Sequence, residues 1–404
     1  MKILFITDNF PPEVNAPATR TYEHCKVWVQ KGIDVTVITC VPNFPKGKIF
    51  DGYKNKIYQK EYIDGIKVIR VWTYIAANEG FVRRTIDYVS FGFSAVIAGI
   101  FQKADIIIAT SPQFFSAFAG NCISFFKRKP WIFEVRDIWP ESIASVGGLN
   151  PQSISYKILE FIELRLYKKA KLIIVVTQAF KKRLIERKQD ATKIRVFTNG
   201  SNLNLFYPRV KNQKLLSELN LKNKIVFAYF GTIGMAHKMD FIVDTFSKVK
   251  NPDFHLLILG EGAKKSEILQ QIQDQNIKNI SFYDFVTKEE VPDYISVIDF
   301  AIVNLRKSIT FTTVIPSKIF EFAAMGKPIL LGVDGQAREI IETANCGLFY
   351  EPENQKDLLE KINLIASNIE LQNLLIAGCR KLAIEYNREK IANEMLECIM
   401  QLKG

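Results

Sequence analysis

Histidine and paired cysteine are scarce in this sequence. Three histidines and six cysteines are scattered over 404 residues, and no two cysteines form a Cys-x-x-Cys pair. This spacing predicts neither a disulfide framework nor a zinc site, and it is typical of a protein kept in a reducing compartment. The sequence also lacks a complete Gly-x-Gly-x-x-Gly or Gly-x4-Gly-Lys-Ser/Thr motif, so neither standard phosphate-binding glycine loop is predicted.

A secretory signal and a long apolar segment are also missing. The first residues, MKILFITD, pass directly into alternating apolar residues, without the charged region, apolar core and cleavage site of a signal peptide. The apolar run 88–101 (YVSFGFSAVIAGIF) lies in an uncharged stretch of about 15 residues, fewer than the roughly 18 to 20 that cross a bilayer. We therefore expect a cytoplasmic protein.

The net charge of +12 is concentrated in the first half of the chain. Residues 1–200 contain 30 lysines and arginines against 17 aspartates and glutamates, whereas the remainder contains 24 against 25. Arg83 and Lys103 flank the run 88–101, which favours an anionic membrane surface over nucleic acid as a partner. Periodicity does not distinguish this from a helix buried in an ordinary core, so both alternatives stay open. The basic segment 168–195 is interpreted as a solvated helix face.

Short β-branched runs alternate with longer segments of helical character. The alternation predicts an α/β protein with parallel sheets covered by helices. It pauses between Gly200 and Pro208, which indicates a hinge. We predict two doubly wound Rossmann-like domains facing a central cleft, over 1–200 and 201–385, with a C-terminal helix at 386–404 packing back on the first. The predicted strands lie at 2–7, 35–40, 68–72, 105–110, 131–137, 172–177, 225–234, 254–262, 280–285, 299–305, 328–331 and 346–350.

One helix start is encoded in TSPQFFSAFAG. Ser111 is placed to cap this helix and Pro112 to occupy its first position. Phe114 and Ala117 begin its apolar stripe, so the preceding strand should end at Thr110.

The stretch 316–330 (PSKIFEFAAMGKPIL) combines a short apolar helix with two charges. Ser317 is a suitable N-cap, and Gly326 supplies the stop. Lys318 and Glu321 share one face, where a surface ion pair would be the ordinary interpretation. A lysine in a first turn opposes the helix dipole, however, unless an anion such as phosphate binds there. Glu321 can accept hydrogen bonds from a vicinal diol such as ribose, so the pair predicts a nucleotide.

These residues belong to a wider pattern of motifs. The motifs are TDNFPPEVNAPATR, PNFPKGKIFDGYKNK, RDIWPES, VVTQAFKKRLIER, IRVFTNGSNLNLFYP, YFGTIGMAHKMD, ILGEG and PSKIFEFAAMGKP. With them, the chain resembles the retaining glycosyltransferases of GT-B family 4, which use sugar nucleotides without a metal. The resemblance covers nearly the whole chain, and the absence of Asp-x-Asp agrees with it. Within the family, the chain is most similar to bacterial transferases that build O-antigen and capsule repeats on a lipid carrier, particularly those of the N-acetyl-L-fucosamine type.

The resemblance assigns the donor site to the second domain. Glu321 matches the second glutamate of the family's Glu-x7-Glu motif, which binds ribose, while the first glutamate is replaced by Thr313. The family's pyrophosphate-binding Arg and Lys are replaced by Thr232 and His237, of which we interpret the histidine as a bystander. Backbone N–H groups and nearby cations should therefore hold the phosphates. The predicted donor-site residues are Gly231, Thr232, Gly234, Lys238, Phe285, Arg306, Ser317, Lys318 and Glu321.

The resemblance assigns the remaining site residues to the first domain. Arg136 and Asp137 fall where family members place a residue beside the donor sugar, and with Lys318 they are the predicted catalytic residues. The ordinary alternative is that Arg136 and Asp137 pair structurally. Asn9, Asn15 and Arg20, after the first strand, are predicted to contact the acceptor.

Together these features imply an enzyme that moves a sugar from a UDP-sugar to a lipid-linked saccharide, carried on polyprenyl diphosphate, with retention at the anomeric carbon. We expect no cofactor, no metal and no nucleic acid. The protein should lie on the inner face of the cell membrane as a peripheral protein. Two alternatives stay open: a sugar-nucleotide 2-epimerase of the same fold, and a non-catalytic binder of membrane or nucleic acid.

Overall fold

The computed structural model describes residues 1–44, 47–75, 81–111, 114–145 and 149–403. The chain divides into two compact units, the first formed by Met1–Thr198 with Arg388–Gly404 and the second by Asn199–Asn387. The division falls two residues from each of the predicted boundaries, 200 and 385.

Eight strands of the described residues form the sheet of the first unit. They are β1 (Lys2–Ile6), β2 (Asp34–Cys40), β3 (Tyr58–Ile63), β4 (Ile66–Val71), β5 (Ile106–Thr110), β6 (Trp131–Val135), β7 (Leu172–Val175) and β8 (Ile194–Val196). Their order is β3-β4-β2-β1-β5-β6-β7-β8, and every pairing is parallel except that of β3 with β4. Strands β5 and β6 are parallel neighbours, so the segments that follow Thr110 and Val135 lie at the same edge of the sheet, where the strands end.

Helices cover both faces of this sheet, because successive strand residues point to opposite sides. One core takes side chains such as Leu4 and Ile6 together with α2, α3 and α5, while the other takes Ile3 and Phe5 together with α1. The helices are α1 (Ala16–Gln30), α2 (Phe81–Ile100), α3 (Phe114–Lys127), α4 (Glu141–Ser145), α5 (Ile154–Lys169) and α6 (Gln178–Glu186).

Helix α2 contains residues 88–100 of the apolar run and has two different apolar faces. Phe91 and Ala95 are buried in the core, whereas Phe93 and Ile97 are exposed. Burial in the core thus accounts for only one face of the helix. Within the described ranges, no helix is both long enough and apolar enough to cross a membrane.

The second unit is built on a fully parallel six-stranded sheet. Its described strands are β9 (Ile225–Thr232), β10 (Phe254–Glu261), β11 (Ile280–Tyr283), β12 (Phe300–Asn304), β13 (Ile329–Gly332) and β14 (Gly347–Phe349), in the order β11-β10-β9-β12-β13-β14. Its helices are α7 (Gln213–Glu218), α8 (Met239–Ser247), α9 (Lys265–Asp274), α10 (Val291–Val297), α11 (Lys318–Ala324), α12 (Gln336–Ala344), α13 (Gln355–Ser367) and α14 (Ile369–Glu385). Two apolar cores lie on the two faces of this sheet.

The last helix of the chain, α15 (Arg388–Met400), belongs to the first unit. It packs on α1, where Trp28 donates its Nε1 hydrogen to the carbonyl of Ala392 at 2.8 Å. Arg388 forms a buried ion pair with Glu23. Met395 is fully buried in the core on this face of the sheet. The end of the chain therefore completes the unit that its beginning starts.

The predicted cap at Ser111 is wrong. Its hydroxyl accepts the backbone N–H groups of Arg136 and Asp137, at 2.8 and 3.1 Å. It also donates to the carbonyl of Asp137 at 3.3 Å. Ser111 therefore joins the loop after β5 to the loop after β6. Pro112 lies outside the described residues.

Candidate active site

In the second unit, Lys318 lies against the end of strand β9. A Cβ atom placed on Gly231 would be 3.5 Å from Cε of Lys318. The ammonium of Lys318 is 3.5 Å from Oε2 of Glu321, and the two side chains remain 35% and 17% exposed. Three predicted donor-site residues are therefore brought together, with a cation beside the β9 loop and a carboxylate one helical turn further along.

The local folding of α11 follows from its sequence. Ile319 and Phe322 face the core and hold the helix against the sheet. Gly326 adopts a left-handed conformation, with φ of +70°, which glycine tolerates and which ends the helix.

Ser317 was wrongly predicted as a side-chain cap. Its backbone is helical, and its hydroxyl makes no capping hydrogen bond. The N–H groups of Ile319 and Phe320 donate instead to the carbonyls of Pro316 and Ser317. These two N–H groups are thus satisfied within the chain, so the ammonium of Lys318 becomes the main positive group at this point.

The loop after β9 is held by strand β10. Ile233 donates its N–H to the carbonyl of Glu261 at 2.8 Å, and the carbonyl of Ile233 accepts from Lys264 at 2.9 Å. A Cβ atom on Gly260 would be 2.1 Å from the carbonyl oxygen of Gly231, so only glycine fits there. The loop that carries exposed Thr232 is therefore fixed by backbone contacts.

The two other predicted phosphate-binding cations differ in their surroundings. Lys238 donates to Oδ2 of Asp240 at 2.5 Å, so a carboxylate already balances its charge. Arg306 is exposed, and its side chain makes no ion pair with any described residue. Its backbone N–H donates to the carbonyl of Ala236 at 2.8 Å, which places it beside the turn that follows Gly234.

His237, interpreted from the sequence as a bystander, has a defined place at this edge. Burial lowers the pKa of its imidazole, while a backbone hydrogen bond with Gly234 acts in the opposite direction. The carbonyl of His237 accepts from Nδ2 of Asn304 at 2.9 Å, and Oδ1 of Asn304 accepts from the hydroxyl of Tyr350 at 2.8 Å. A buried asparagine at the end of strand β12 was the available signal for this network.

Thr313, Gly335 and the predicted donor-site residue Phe285 lie on segments that follow strands of the second sheet. The hydroxyl of Thr313 donates to the carbonyl of Thr310 at 2.9 Å, within a short 3-10 turn. Gly335 has φ of +78°, and a Cβ atom there would be 2.1 Å from the carbonyl of Thr312. Phe285 follows β11 and is about half exposed.

In the first unit, Arg136 and Asp137 follow strand β6 and are not an ion pair. Nε and Nη1 of Arg136 are buried, and neither has a hydrogen-bond partner among the described residues. Burial lowers the pKa of Arg136 to about 10, against the attraction of Glu134. Burial raises the pKa of Asp137 to about 6, although the Ser142 hydroxyl, a backbone N–H and Arg136 act in the opposite direction. The predicted alternative of a structural pair between them is therefore wrong, and Arg136 offers unused donors.

Arg20 is placed differently from the prediction. Its side chain is buried, with Nε 2.9 Å from Oε1 of Glu134 and the terminal nitrogens donating to the carbonyls of Phe197 and Thr198. These hydrogen bonds connect α1 to residues 197–198, where the first segment of the unit ends. Arg20 thus has a structural task here, which argues against the predicted contact with the acceptor.

The two predicted asparagines of the first loop are brought together. Asn15 caps α1 by accepting the N–H of Ala18 at 2.8 Å, and its Nδ2 donates to Oδ1 of Asn9 at 2.7 Å. Asn9 in turn donates to a carboxylate oxygen of Asp8 at 3.2 Å. This ordered polar loop lies at the same sheet edge as Arg136.

Two family models match the chain, one over each unit. The model described as glycosyl transferases group 1 matches residues 211–382, and the glycosyl transferase 4-like domain matches residues 15–200. The chain belongs to the GT-B glycosyltransferases of family 4. The predictions of an enzyme and of a glycosyltransferase are thereby confirmed, and neither alternative is supported.

Proteins similar to this glycosyltransferase extend over its whole length. The putative colanic acid biosynthesis glycosyl transferase WcaI of Escherichia coli is 21% identical over 98% of this chain and 97% of its own. Among solved structures, sucrose-phosphate synthase from Thermosynechococcus elongatus has a TM-score of 0.76 at 16% identity, covering 99% of this chain and 98% of that one. Anabaena HepE in complex with UDP and glucose has a TM-score of 0.75 at 18% identity, covering 99% of both chains. The predicted GT-B fold is confirmed.

Proposed function

We propose that this glycosyltransferase takes a sugar from a UDP-sugar and adds it, with retention at the anomeric carbon, to a saccharide linked to polyprenyl diphosphate. The transferred sugar is an N-acetylated amino or deoxyamino hexose, and the product enters O-antigen, capsule or another cell-surface polysaccharide. The enzyme works on the inner face of the cell membrane. The placement of Lys318 and Glu321 beside Gly231 carries the proposal.

The nucleotide binds along the edge of the second unit. Glu321 retains an accessible carboxylate that accepts both hydroxyls of a ribose, and Lys318 faces the diphosphate. Arg306 is the second cation available to the phosphates, since Lys238 is paired with Asp240. HepE was crystallised with UDP and with UDP-glucose, which supports a uridine nucleotide as the donor.

The chemical demand is to stabilise the negative charge that develops on the departing diphosphate. Pre-oriented N–H groups of the β9 loop and the ammonium of Lys318 meet this demand without a metal. The departing phosphate accepts the proton of the attacking hydroxyl, so no covalent intermediate is formed on the enzyme. Arg136 and Asp137 contact the transferred sugar, because the unused donors of Arg136 require an acceptor.

Calorimetric titration of UDP, GDP and ADP without added metal tests the nucleotide assignment. UDP should bind the wild type, and Glu321→Gln should weaken binding by at least about 1.5 kcal/mol, roughly twelvefold, because a charged hydrogen bond to ribose is lost. Glu339→Gln is the matched control, since Glu339 is another first-turn glutamate of a helix in the same unit. Its UDP affinity should equal that of the wild type.

Two results would contradict the proposal. Equal affinities of Glu321→Gln and Glu339→Gln would remove Glu321 from the nucleotide site. Binding of GDP or ADP in preference to UDP would mean that the donor carries a base other than uracil, although the nucleotide site itself would stand.

A further inference from the structure

Helix α2 presents a continuous apolar stripe away from the core. Ile86, Val89, Phe93 and Ile97 recur at intervals of three and four residues, and all four are exposed. Phe93 is 69% exposed, and Phe101, which follows the helix, is 79% exposed. Such a stripe on the outer face of a helix costs solubility unless something covers it.

Two neighbouring helices continue the apolar surface. Helix α3 contacts both α2 and α5, and its end carries Phe125, which is 75% exposed, and Phe126. On α5, Ile154, Ile158 and Phe161 are exposed at intervals of four and three residues. These side chains on α2, α3 and α5 are called the three-helix face.

A basic cavity of about 740 Å³ lies where α3 and α5 end. Its described lining contains no carboxylate, and the indole Nε1 of buried Trp131, another lining residue, lacks a hydrogen-bond partner among the described residues. Phe125 and Phe126 also line this cavity, so it is continuous with the three-helix face. The lining cations are Arg128, Lys129, Lys169, Lys171 and Lys193.

We infer that the three-helix face docks on an anionic lipid bilayer, with the basic cavity holding a phosphate-bearing lipid headgroup. Apolar side chains enter the interface, and the adjoining cations meet the negative surface, which is the combination that binds peripheral proteins to membranes. Nucleic acid would bind the cations but would leave the apolar stripe of α2 exposed to water. The inference deepens the proposed function, since a lipid-linked acceptor lies in a membrane, but its observations are independent of the nucleotide site.

Vesicle sedimentation tests the apolar part. The full chain is mixed with vesicles of phosphatidylcholine alone or with added phosphatidylglycerol, and only the latter should bind it strongly. Replacing Phe93, Phe125 and Phe161 together by serine should weaken binding at least about tenfold, because less apolar surface enters the interface. The matched control replaces three exposed apolar residues of α14 in the second unit and should bind like the wild type: Ile369→Ser, Leu374→Ser and Ile384→Ser.

A second variant tests the cavity. Replacing Lys129, Lys169 and Lys171 together by glutamine should reduce affinity for the anionic vesicles by roughly one hundredfold, since each cation contributes about fivefold near such a surface. The same change at three surface lysines of the second unit should have little effect: Lys222→Gln, Lys250→Gln and Lys278→Gln. Inorganic phosphate and glycerol phosphate serve as competitors, and neither should displace the protein at concentrations that leave ionic strength unchanged.

Three outcomes would overturn the inference: equal binding of both vesicle types, equal binding of the Phe93 set and its α14 control, or release by free phosphate. Binding of duplex DNA without binding of vesicles would mean that the basic cavity is a nucleic-acid site. UDP titration of the same variants separates this test from the proposed function, because a failed docking surface leaves UDP affinity unchanged, and a failed nucleotide site leaves vesicle binding unchanged.

Discussion

At the residue scale, Arg136 and Asp137 are two charged residues, largely removed from water, that directly follow strand β6. The surrounding protein removes water from both groups, which lowers the pKa of the guanidinium and raises that of the carboxyl. Ser111 fixes the backbone of both residues by accepting their N–H groups. A substrate with acceptor oxygens would relieve the cost on Arg136.

The raised pKa of Asp137 predicts a pH dependence of stability. Between about pH 4 and pH 6, the folded protein binds more protons than the unfolded chain, so the free energy of unfolding falls as pH rises through this window. Asp137→Asn should make this slope shallower and should be more stable than the wild type at pH 7, by up to about 3 kcal/mol. Part of the slope should remain, because burial also raises the pKa of Glu163, to about 7. Urea unfolding followed by tryptophan fluorescence measures it, because all four tryptophans lie in the first unit.

Two further variants check the cause. Asp51→Asn changes an exposed carboxyl of the same unit and should keep the wild-type slope. Arg136→Met removes a cation that lowers the pKa of Asp137, so the slope should extend to higher pH. A wild-type profile in Asp137→Asn would show that this carboxyl titrates normally.

Residue-scale geometry also explains why the contacts of Arg20 and Ser317 differ from those that the sequence suggests. Arg20 was an attractive candidate because it follows the first strand, but its partner Glu134 is 114 residues away in sequence, and no local pattern reveals that pair. Ser317 has the side chain of a cap, yet capping also depends on backbone dihedral angles that the sequence does not specify. The proximity of Lys318 and Glu321 was predictable, because one short helix sets their spacing.

At the element scale, backbone contact between β9 and β10 controls the position of the loop after β9, where we propose that the diphosphate binds. Gly260→Ala places a Cβ atom 2.1 Å from the carbonyl of Gly231, so that loop must shift. We expect UDP affinity to fall at least about tenfold, because misplaced N–H groups no longer meet the diphosphate. Calorimetric titration of the variant measures the loss.

Gly378→Ala is the control for this substitution. Its Cβ atom would be 1.9 Å from the carbonyl of Asn345, between α12 and α14, so its steric cost is similar. It should lower the stability of the second unit without a comparable effect on UDP affinity. Equal losses of affinity in the two variants would mean that general strain, and not the β9 loop, weakens binding.

The predictable elements of the fold are those whose residues are buried on both faces. The β-branched runs that became β1, β5 and β9 are continuous because parallel strands are covered by helices on both sides. Strand β3 was missed, since it is an antiparallel edge strand whose sequence, YQKEYI, is mostly polar and exposed. The two apolar faces of α2 were not separable either, because both read as one hydrophobic run.

At the scale of the whole molecule, the first unit is formed by two segments that are separated in sequence by the second unit. Helix α15 belongs to the first unit but follows the second unit in sequence, so the stability of the first unit depends on residues 364 positions apart. The residues of the proposed nucleotide site all belong to the second unit. A change that damages α15 should therefore affect the two units unequally.

Removal of residues 388–404 tests this dependence. The deletion takes Met395 and Ile399 out of the first unit's core, and Glu23 loses its Arg388 partner. The unfolding transition seen by tryptophan fluorescence should lose at least about 4 kcal/mol, since two buried apolar side chains and a buried ion pair are removed. UDP should still bind the truncated chain and should protect the second unit against heat, as any ligand of the folded state does.

A milder variant keeps the test informative if the truncated first unit does not fold. Ile399→Ala leaves the helix and the ion pair in place and should cost about 2 to 5 kcal/mol in the tryptophan transition, because a cavity is left in the core. Its UDP affinity should equal that of the wild type. A parallel loss of UDP affinity would mean that the second unit requires an intact first unit to hold the nucleotide, and the two units would then have to be treated as one cooperative structure.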